Sequence, residues 1–353
     1  MDSIAPVPRV GAEPENLLER VALRANLAPW PVVHSMFAPP LGRVLQVAAR
    51  TGVFGALADG PVTAGSLAAR LGLQETGTRL LLDCLATSEI VRESGGTYEF
   101  ERTARKWLDP ESDTSVVGFI TDNAEYWAWW AQLEDLVRDG RNVELHDRAP
   151  DDPYWRTYIR GQFELARLSA PEVAKGLRLP DGATRMVDLA GAHGWFSAQL
   201  CERHEGLHAT VVDLPGSAAV GREIIRDHGF ADRVSHVEGD ILSSDLGGPY
   251  DLALAFNIVH HLSPQDNVRL LKRAREVLEP GGSVAVLDLF TRPAGKRPDA
   301  SAYLGLFFHL TSGAETYSPA ELADWLSEAG FERPRRVRVR SIPNQTLYQA
   351  TAV

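Results

Sequence analysis

Apolar positions along the chain change period near residue 183, from helical spacing before it to an alternation of strand-like and helical runs after it. From Leu17 the spacing is helical. Between 41 and 57, Val44, Leu45, Val47, Ala48 and Val53 recur so as to present one apolar face to a core or to a partner chain. A short helix over 63–71 opened by Thr63, a second helix over 75–88, and a hairpin over 90–100 turning at Gly95 and Gly96 have the outline of a winged helix. Residues 115 to 170 keep a helical period and hold a dense aromatic set: Tyr126, Trp127, Trp129, Trp130, Tyr154, Trp155, Tyr158 and Phe163. Such rings fill a core or wall a pocket for a flat organic molecule.

Beyond 183, strands are predicted over 185–189, 209–212, 234–238, 250–256 and 283–289, with helices from Trp195 and over 217–228 and 264–278. Alternation of this kind builds a doubly wound, mostly parallel sheet that binds ligands at the carboxyl ends of its strands. The expected fold class is α/β. Four segments are expected: a flexible tail over 1–16, a winged-helix-like domain over 17–110, a helical aromatic-rich connector over 111–180, and the sheet domain over 181–353.

Bulk properties narrow the function classes. A chain of 353 residues has room for two domains. No apolar run reaches the roughly 18 residues of a membrane span, and no signal-peptide pattern is visible, so a cytoplasmic protein with no membrane partner is expected. The lone pair of cysteines, Cys84 and Cys201, fits neither a disulfide framework nor zinc-ligand spacing. A net charge of -11 opposes binding to polyphosphate. Within the winged segment, Glu75, Asp83, Glu89, Glu93 and Glu99 stand where phosphate contacts would call for arginine or lysine. The segment therefore reads as an interaction module, with no nucleic-acid partner.

The chemistry-bearing residues gather at predicted strand ends. The run MVDLAGAHG over 186–194 takes a strand into Asp188 and a turn of small residues, and the next strand ends at a second acid, Asp213. Small residues let a backbone approach a ligand closely, and an acid at that second strand tip can accept bonds from both ribose hydroxyls. The turn lacks the three spaced glycines of a pyrophosphate grip, so it reads as a site for an adenosyl ligand without phosphates. Asp240, His260 and Asp288 fall at or just after three further strand ends.

With these residues in view, the chain resembles the S-adenosylmethionine-dependent small-molecule methyltransferases of the caffeate and hydroxyindole O-methyltransferase type, including their bacterial natural-product branch. The resemblance rests on VDLAGAHG, VVDLP, EGDIL over 238–242, IVHHLSPQDNVRLLKRAREVLEPGG over 258–282, and SGAETYSPAEL. It implies a Rossmann-like methyltransferase domain with a winged-helix dimerisation domain, hence a homodimer, and S-adenosylmethionine as co-substrate. By resemblance, Ala190, Gly191 and Gly194, with Asp188 nearby, meet the methionine part. Asp213 takes the ribose hydroxyls, Asp240 with Ile241 the adenine, and Phe256 with Asn257 the sulfonium side, with Leu214 and Gly239 also among the cofactor-binding residues. Ala190 and Ala192 replace the family's glycines, which leaves the turn less room.

The resemblance further places His260 as general base, taking a proton from an acceptor hydroxyl, with Asp288 and Glu315 as its supporting acids. His261 stands where the family carries an acid. The expected activity is methyl transfer to a hydroxyl of an aromatic or polyketide-like small molecule, with no metal. Walls of the acceptor pocket are expected around Trp127, Trp155, Phe307 and Phe308. Three alternatives stay open: metal-assisted C-methylation of a 2-oxo acid through His260, His309 and an acid; a ligand-sensing winged-helix regulator; and a relative that binds the cofactor without methylating.

Overall fold

A computed structural model describes residues 16–291, 301–340 and 345–353, apart from 26 and 28. The tail expected over 1–16 lies outside the described residues except for Asn16, whose side chain caps the first helix. The chain forms two compact units that meet in sequence at Glu125 and Tyr126.

In the N-terminal unit, helices Leu17–Arg24, Trp30–Arg50 and Val53–Ala58 precede β1 (Val62–Thr63). The Thr63 hydroxyl accepts the N–H of Ser66 at 3.2 Å and so starts helix Ala64–Leu71, as the sequence led one to expect. Helix Glu75–Thr87 follows, then β2 (Val91–Ser94) and β3 (Thr97–Phe100), which pair antiparallel in the order β1-β3-β2. Gly95 and Gly96 carry the positive φ values, 59° and 84°, that a two-residue hairpin turn demands. Phe54, Leu57, Leu67, Leu82 and Leu85 fill the core at 1% exposure or less.

The second unit holds a seven-stranded sheet: β4 (Arg185–Leu189), β5 (His208–Asp213), β6 (Val234–Glu238), β7 (Tyr250–Phe256), β8 (Leu278–Leu289), β9 (Arg335–Val337) and β10 (Gln345–Thr351). Its order is β6-β5-β4-β7-β8-β10-β9. Neighbours from β6 through β8 are parallel, and β10 runs antiparallel to both β8 and β9. The chain winds outward from β4 to β6, then returns to β7 on the other side of β4. That reversal leaves a crevice at the carboxyl ends of β4 and β7, where open α/β sheets take their ligands.

Central strands read as continuous apolar runs because helices cover both faces. In β7, Leu252, Ala253, Leu254 and Ala255 are all fully buried. Two features differ from expectation. The strand predicted over 283–289 begins at Leu278, and the antiparallel pair β9 and β10 was not foreseen: RRVRVR and QTLYQAT are short and polar, and they become strands only because β10 pairs with β8 and β9 with β10. The connector expected over 111–180 is not a unit of its own. Residues 111–125 fall with the winged domain, whereas helix Tyr154–Gly176 buries Ala170, Val173 and Ala174 in the same core as Met186 of β4. Among the described residues, no helix is long and apolar enough to cross a membrane.

Leu254→Ala should cost about 2–5 kcal/mol of stability in urea unfolding, the usual range for emptying a filled core position. Leu80, 52% exposed on helix Glu75–Thr87, should tolerate the same change within about 0.5 kcal/mol.

Candidate active site

The turn after β4 is pinned to its neighbour at once: the Ala190 N–H donates to the Val212 carbonyl at 2.8 Å. Ala190 and Ala192 both adopt left-handed backbone, at φ 59° and 47°, and Gly194 follows at 67°. For an alanine that conformation costs roughly 1–2 kcal/mol, so the two substitutions for glycine strain the turn as well as crowding it. Asp188 lies beneath, 1% exposed. Its Oδ2 accepts the Ser197 hydroxyl at 2.7 Å, and its Oδ1 is buried with no hydrogen-bond partner. A Cβ at position 191 would overlap this carboxyl group, which is why the turn needs Gly191. Burial pushes the Asp188 carboxyl up to about 7, against the pull of the Ser197 bond.

Asp213, at the tip of β5, is 8% exposed. Its Oδ2 accepts the Ala192 N–H and its Oδ1 the Leu214 N–H, each at 2.7 Å. Desolvation lifts this carboxyl to about 6, and the two N–H bonds draw it back. A carboxylate has about four lone-pair sites, so two stay open to a vicinal diol. The Gly239 N–H donates to the Asp213 carbonyl at 2.9 Å and holds the end of β6 alongside. Asp240 is exposed and caps its own loop, accepting the Leu242 N–H at 2.8 Å and the Ser243 hydroxyl at 2.7 Å, while Ile241 turns into the core.

At the tip of β7, Phe256 meets Phe196 edge-on with centroids 5.1 Å apart. Asn257 is left-handed at φ 55° and its Oδ1 accepts the Gln345 amide at 2.6 Å. None of the expected cofactor positions is lysine or arginine, and two buried carboxylates stand among them. This donor set suits an adenosyl group carrying an ammonium and a sulfonium, and would repel a pyrophosphate.

His260 lies in the 3₁₀ turn Val259–His261 directly after β7 and is 5% exposed. Its Nδ1–H donates to Asp288 Oδ1 at 2.5 Å, and Asp288, at the end of β8, is fully buried. This bond fixes the tautomer and leaves Nε2 as the basic nitrogen. Phe308 stacks on the imidazole at 3.7 Å between centroids, tilted by 23°. His261 crowds the same place, 4.2 Å from His260 and 4.8 Å from His146. Burial and the two neighbouring imidazoles hold His261 well below the ordinary histidine range, and burial lowers His146 to about 4. Both rings are therefore neutral near pH 7.

Of the three expected catalytic side chains, the structure joins His260 and Asp288 and leaves Glu315 exposed on the loop after helix Ser301–Ser312. Phe307 and Phe308 are buried with Trp129 and Tyr154 in one aromatic cluster. Trp155 instead packs under Gly216 with Ile159 and Ile224, and Trp127 is 48% exposed. His309 sits over the end of its own helix, with Nδ1 3.1 Å from the Gly313 carbonyl. Among the described residues no three His, Cys, Asp or Glu side chains are placed to hold a metal ion, so the His260, His309 and acid set is not assembled. His146, His236, Ser197 and Gln345 were missed in the sequence. None belongs to a motif; Ser197 comes from the helix that directly follows the turn, and the other three come from elements remote along the chain.

A family model described as the O-methyltransferase domain matches residues 130–332, well over half of the 353. The chain belongs to the O-methyltransferase family. A second family model, the O-methyltransferase dimerisation domain, matches residues 34–110. Among curated relatives, 3-hydroxy-5-methyl-1-naphthoate 3-O-methyltransferase of Streptomyces sahachiroi is 27% identical over 310 residues, 85% of this chain and 88% of that one. Acetylserotonin O-methyltransferase of Mus musculus is 30% identical over 314 residues, 82% of this chain and 80% of that one. The crystal structure of human N-acetylserotonin methyltransferase in complex with SAM superposes with a TM-score of 0.81 at 20% identity, covering 97% of this chain and 99% of that one. Family and fold class are thus those the sequence led one to expect.

Between about pH 4 and about pH 7 the folded chain holds a proton on Asp188 that the unfolded chain releases, so this group's contribution to stability falls as pH rises through that window. Asp188→Asn should accordingly lose less stability than the wild type between roughly pH 5 and pH 8 in urea unfolding of the ligand-free protein. Parallel curves would contradict the raised carboxyl.

Proposed function

We propose that this O-methyltransferase moves a methyl group from S-adenosylmethionine to a hydroxyl of an aromatic or polyketide-like small molecule in secondary metabolism, with His260 as general base. The observation that carries this reading is the buried His260–Asp288 pair at the mouth of the crevice, 2.5 Å from nitrogen to oxygen. S-adenosylmethionine supplies, when bound, a sulfonium methyl that is already electrophilic. The chain's residues then have two tasks, to place an acceptor oxygen in line and to take its proton. Asp213 would hold the ribose hydroxyls, the Ala190–Gly191 turn the methionine part, and Phe256 and Ile241 the apolar flank.

Asp288 presents the imidazole with Nε2 basic and stabilises the imidazolium formed when the acceptor proton arrives. Phe308 over His260, with the neutral rings of His261 and His146 beside it, offers a flat and uncharged surface of the kind an aromatic acceptor fills. The relatives named above act on a hydroxynaphthoate and on acetylserotonin, both aromatic. The human neighbour was crystallised with SAM, which supports the same donor here.

A homodimer is part of the proposal. The dimerisation-domain match covers 34–110, and the helices ahead of and within it expose Leu17, Leu18, Val21, Met36 and Phe37 to solvent at more than half of their surface. Sedimentation should give about twice the chain mass, and a monomer at micromolar concentration would overturn this part.

His260→Ala should lower kcat by about 10²- to 10⁴-fold while S-adenosylhomocysteine still binds within a few-fold of wild type. Equal turnover in the two enzymes would remove His260 from the base role. A screen of phenols against 2-oxo acids decides between oxygen and carbon as the methylated atom.

A further inference from the structure

The peptide of Ala192 is gripped at both ends. Its N–H donates to Asp213 Oδ2 at 2.7 Å, and its carbonyl lies 2.9 Å from Nε2 of His236, a residue of β6 two strands away from the turn. A carbonyl only accepts, so the His236 proton is on Nε2 and the ring donates. Nδ1 of the same ring is buried with no partner, so the ring serves this bond alone.

Its surroundings are cut to fit. A Cβ on Gly221 would overlap both the Ala192 carbonyl and His236 Nε2, and a Cβ on Gly194 would stand 3.1 Å from His236 Cε1. Helix Pro215–Asp227 thus crosses at a glycine where the ring and the turn meet. Burial lowers His236 to about 4, which keeps the ring a neutral donor at pH 7.

Ala192 is also one of the two alanines held in left-handed backbone, at φ 47°, a region that glycine enters without a steric penalty. We infer that His236 is a positioning residue for the cofactor turn: together with Asp213 it clamps the Ala192 peptide in a conformation that a glycine would adopt unaided. The clamp sets where the Ala190–Gly191 backbone faces the ligand, so it acts on cofactor affinity rather than on the proton transfer. The consequence for affinity rests on the adenosyl reading given above; the clamp itself does not.

Calorimetry with S-adenosylhomocysteine on wild type, His236→Leu, His236→Gln, Ala192→Gly and the Leu/Gly double variant tests it. His236→Leu should weaken binding about 10-fold, the scale of one lost buried hydrogen bond, and leave kcat at saturating donor within about twofold. His236→Gln, which returns an amide N–H close to the Nε2 position, should recover much of the loss. In the Ala192→Gly background the His236→Leu loss should shrink to about threefold or less, because the turn no longer needs holding. An equal loss in both backgrounds, or none in either, overturns the clamp.

Thermal unfolding of the same ligand-free proteins gives a second reading. The drop in Tm caused by His236→Leu should be smaller with Gly at 192, and equal drops again count against the inference. Should the wild type fail to bind S-adenosylhomocysteine, the adenosyl reading falls, and the Tm comparison alone decides the clamp. If the Leu variant does not fold, His236→Ala with and without Ala192→Gly decides by the same comparison.

Discussion

The bond from the Ala192 N–H to the Asp213 carboxylate ties the tip of one parallel strand to the turn that leaves its neighbour. Everything proposed for the cofactor side depends on it. Without a partner, a carboxylate at 8% exposure would pick up a proton or pull water into the crevice. Paired with two peptide N–H groups, it becomes a fixed acceptor at a strand end and still has lone pairs for a ligand. The turn in its turn is kept open by Gly191 over Asp188.

The same construction recurs one pair of strands along, at the candidate base. Asp288 ends β8 and reaches the histidine that follows β7, so adjacent parallel strands again deliver an acid and its partner to the same edge of the sheet. The two acids differ in what they hold. Asp213 orders backbone, whereas Asp288 orders an imidazole. The neutral rings of His146 and His261 beside His260 follow from burial, which disfavours a charged imidazolium at either position.

The N-terminal unit shows why a winged outline need not mean nucleic acid. Asp83 on helix Glu75–Thr87 accepts the Tyr98 hydroxyl of β3 at 2.6 Å, and Arg79 pairs with the same carboxylate at 2.8 Å. Asp83 is therefore spent on internal order, and the net charge of -11 works against a polyphosphate partner. The apolar side chains exposed on the preceding helices instead suit a surface that is covered by protein.

Much of this was legible in the sequence because local patterns carried it. The continuous apolar runs of β4, β5 and β7, the Thr63 cap and the Gly95–Gly96 turn each record a constraint satisfied within a few residues. Strand ends likewise flagged Asp188, Asp213, His260 and Asp288, since ligands gather there in a parallel sheet. The strands β9 and β10 were not legible, because short polar runs become strands only when a neighbouring strand supplies the hydrogen bonds. Nor could the sequence say that His236 reaches Ala192 across 44 positions, that His146 lies against His261, or that Glu315 stays at the surface. Sequence spacing determines which residues share an element and which end of it they occupy. Which side chains then touch is decided by how strands are ordered and helices laid across them, and that is a property of the packed chain alone.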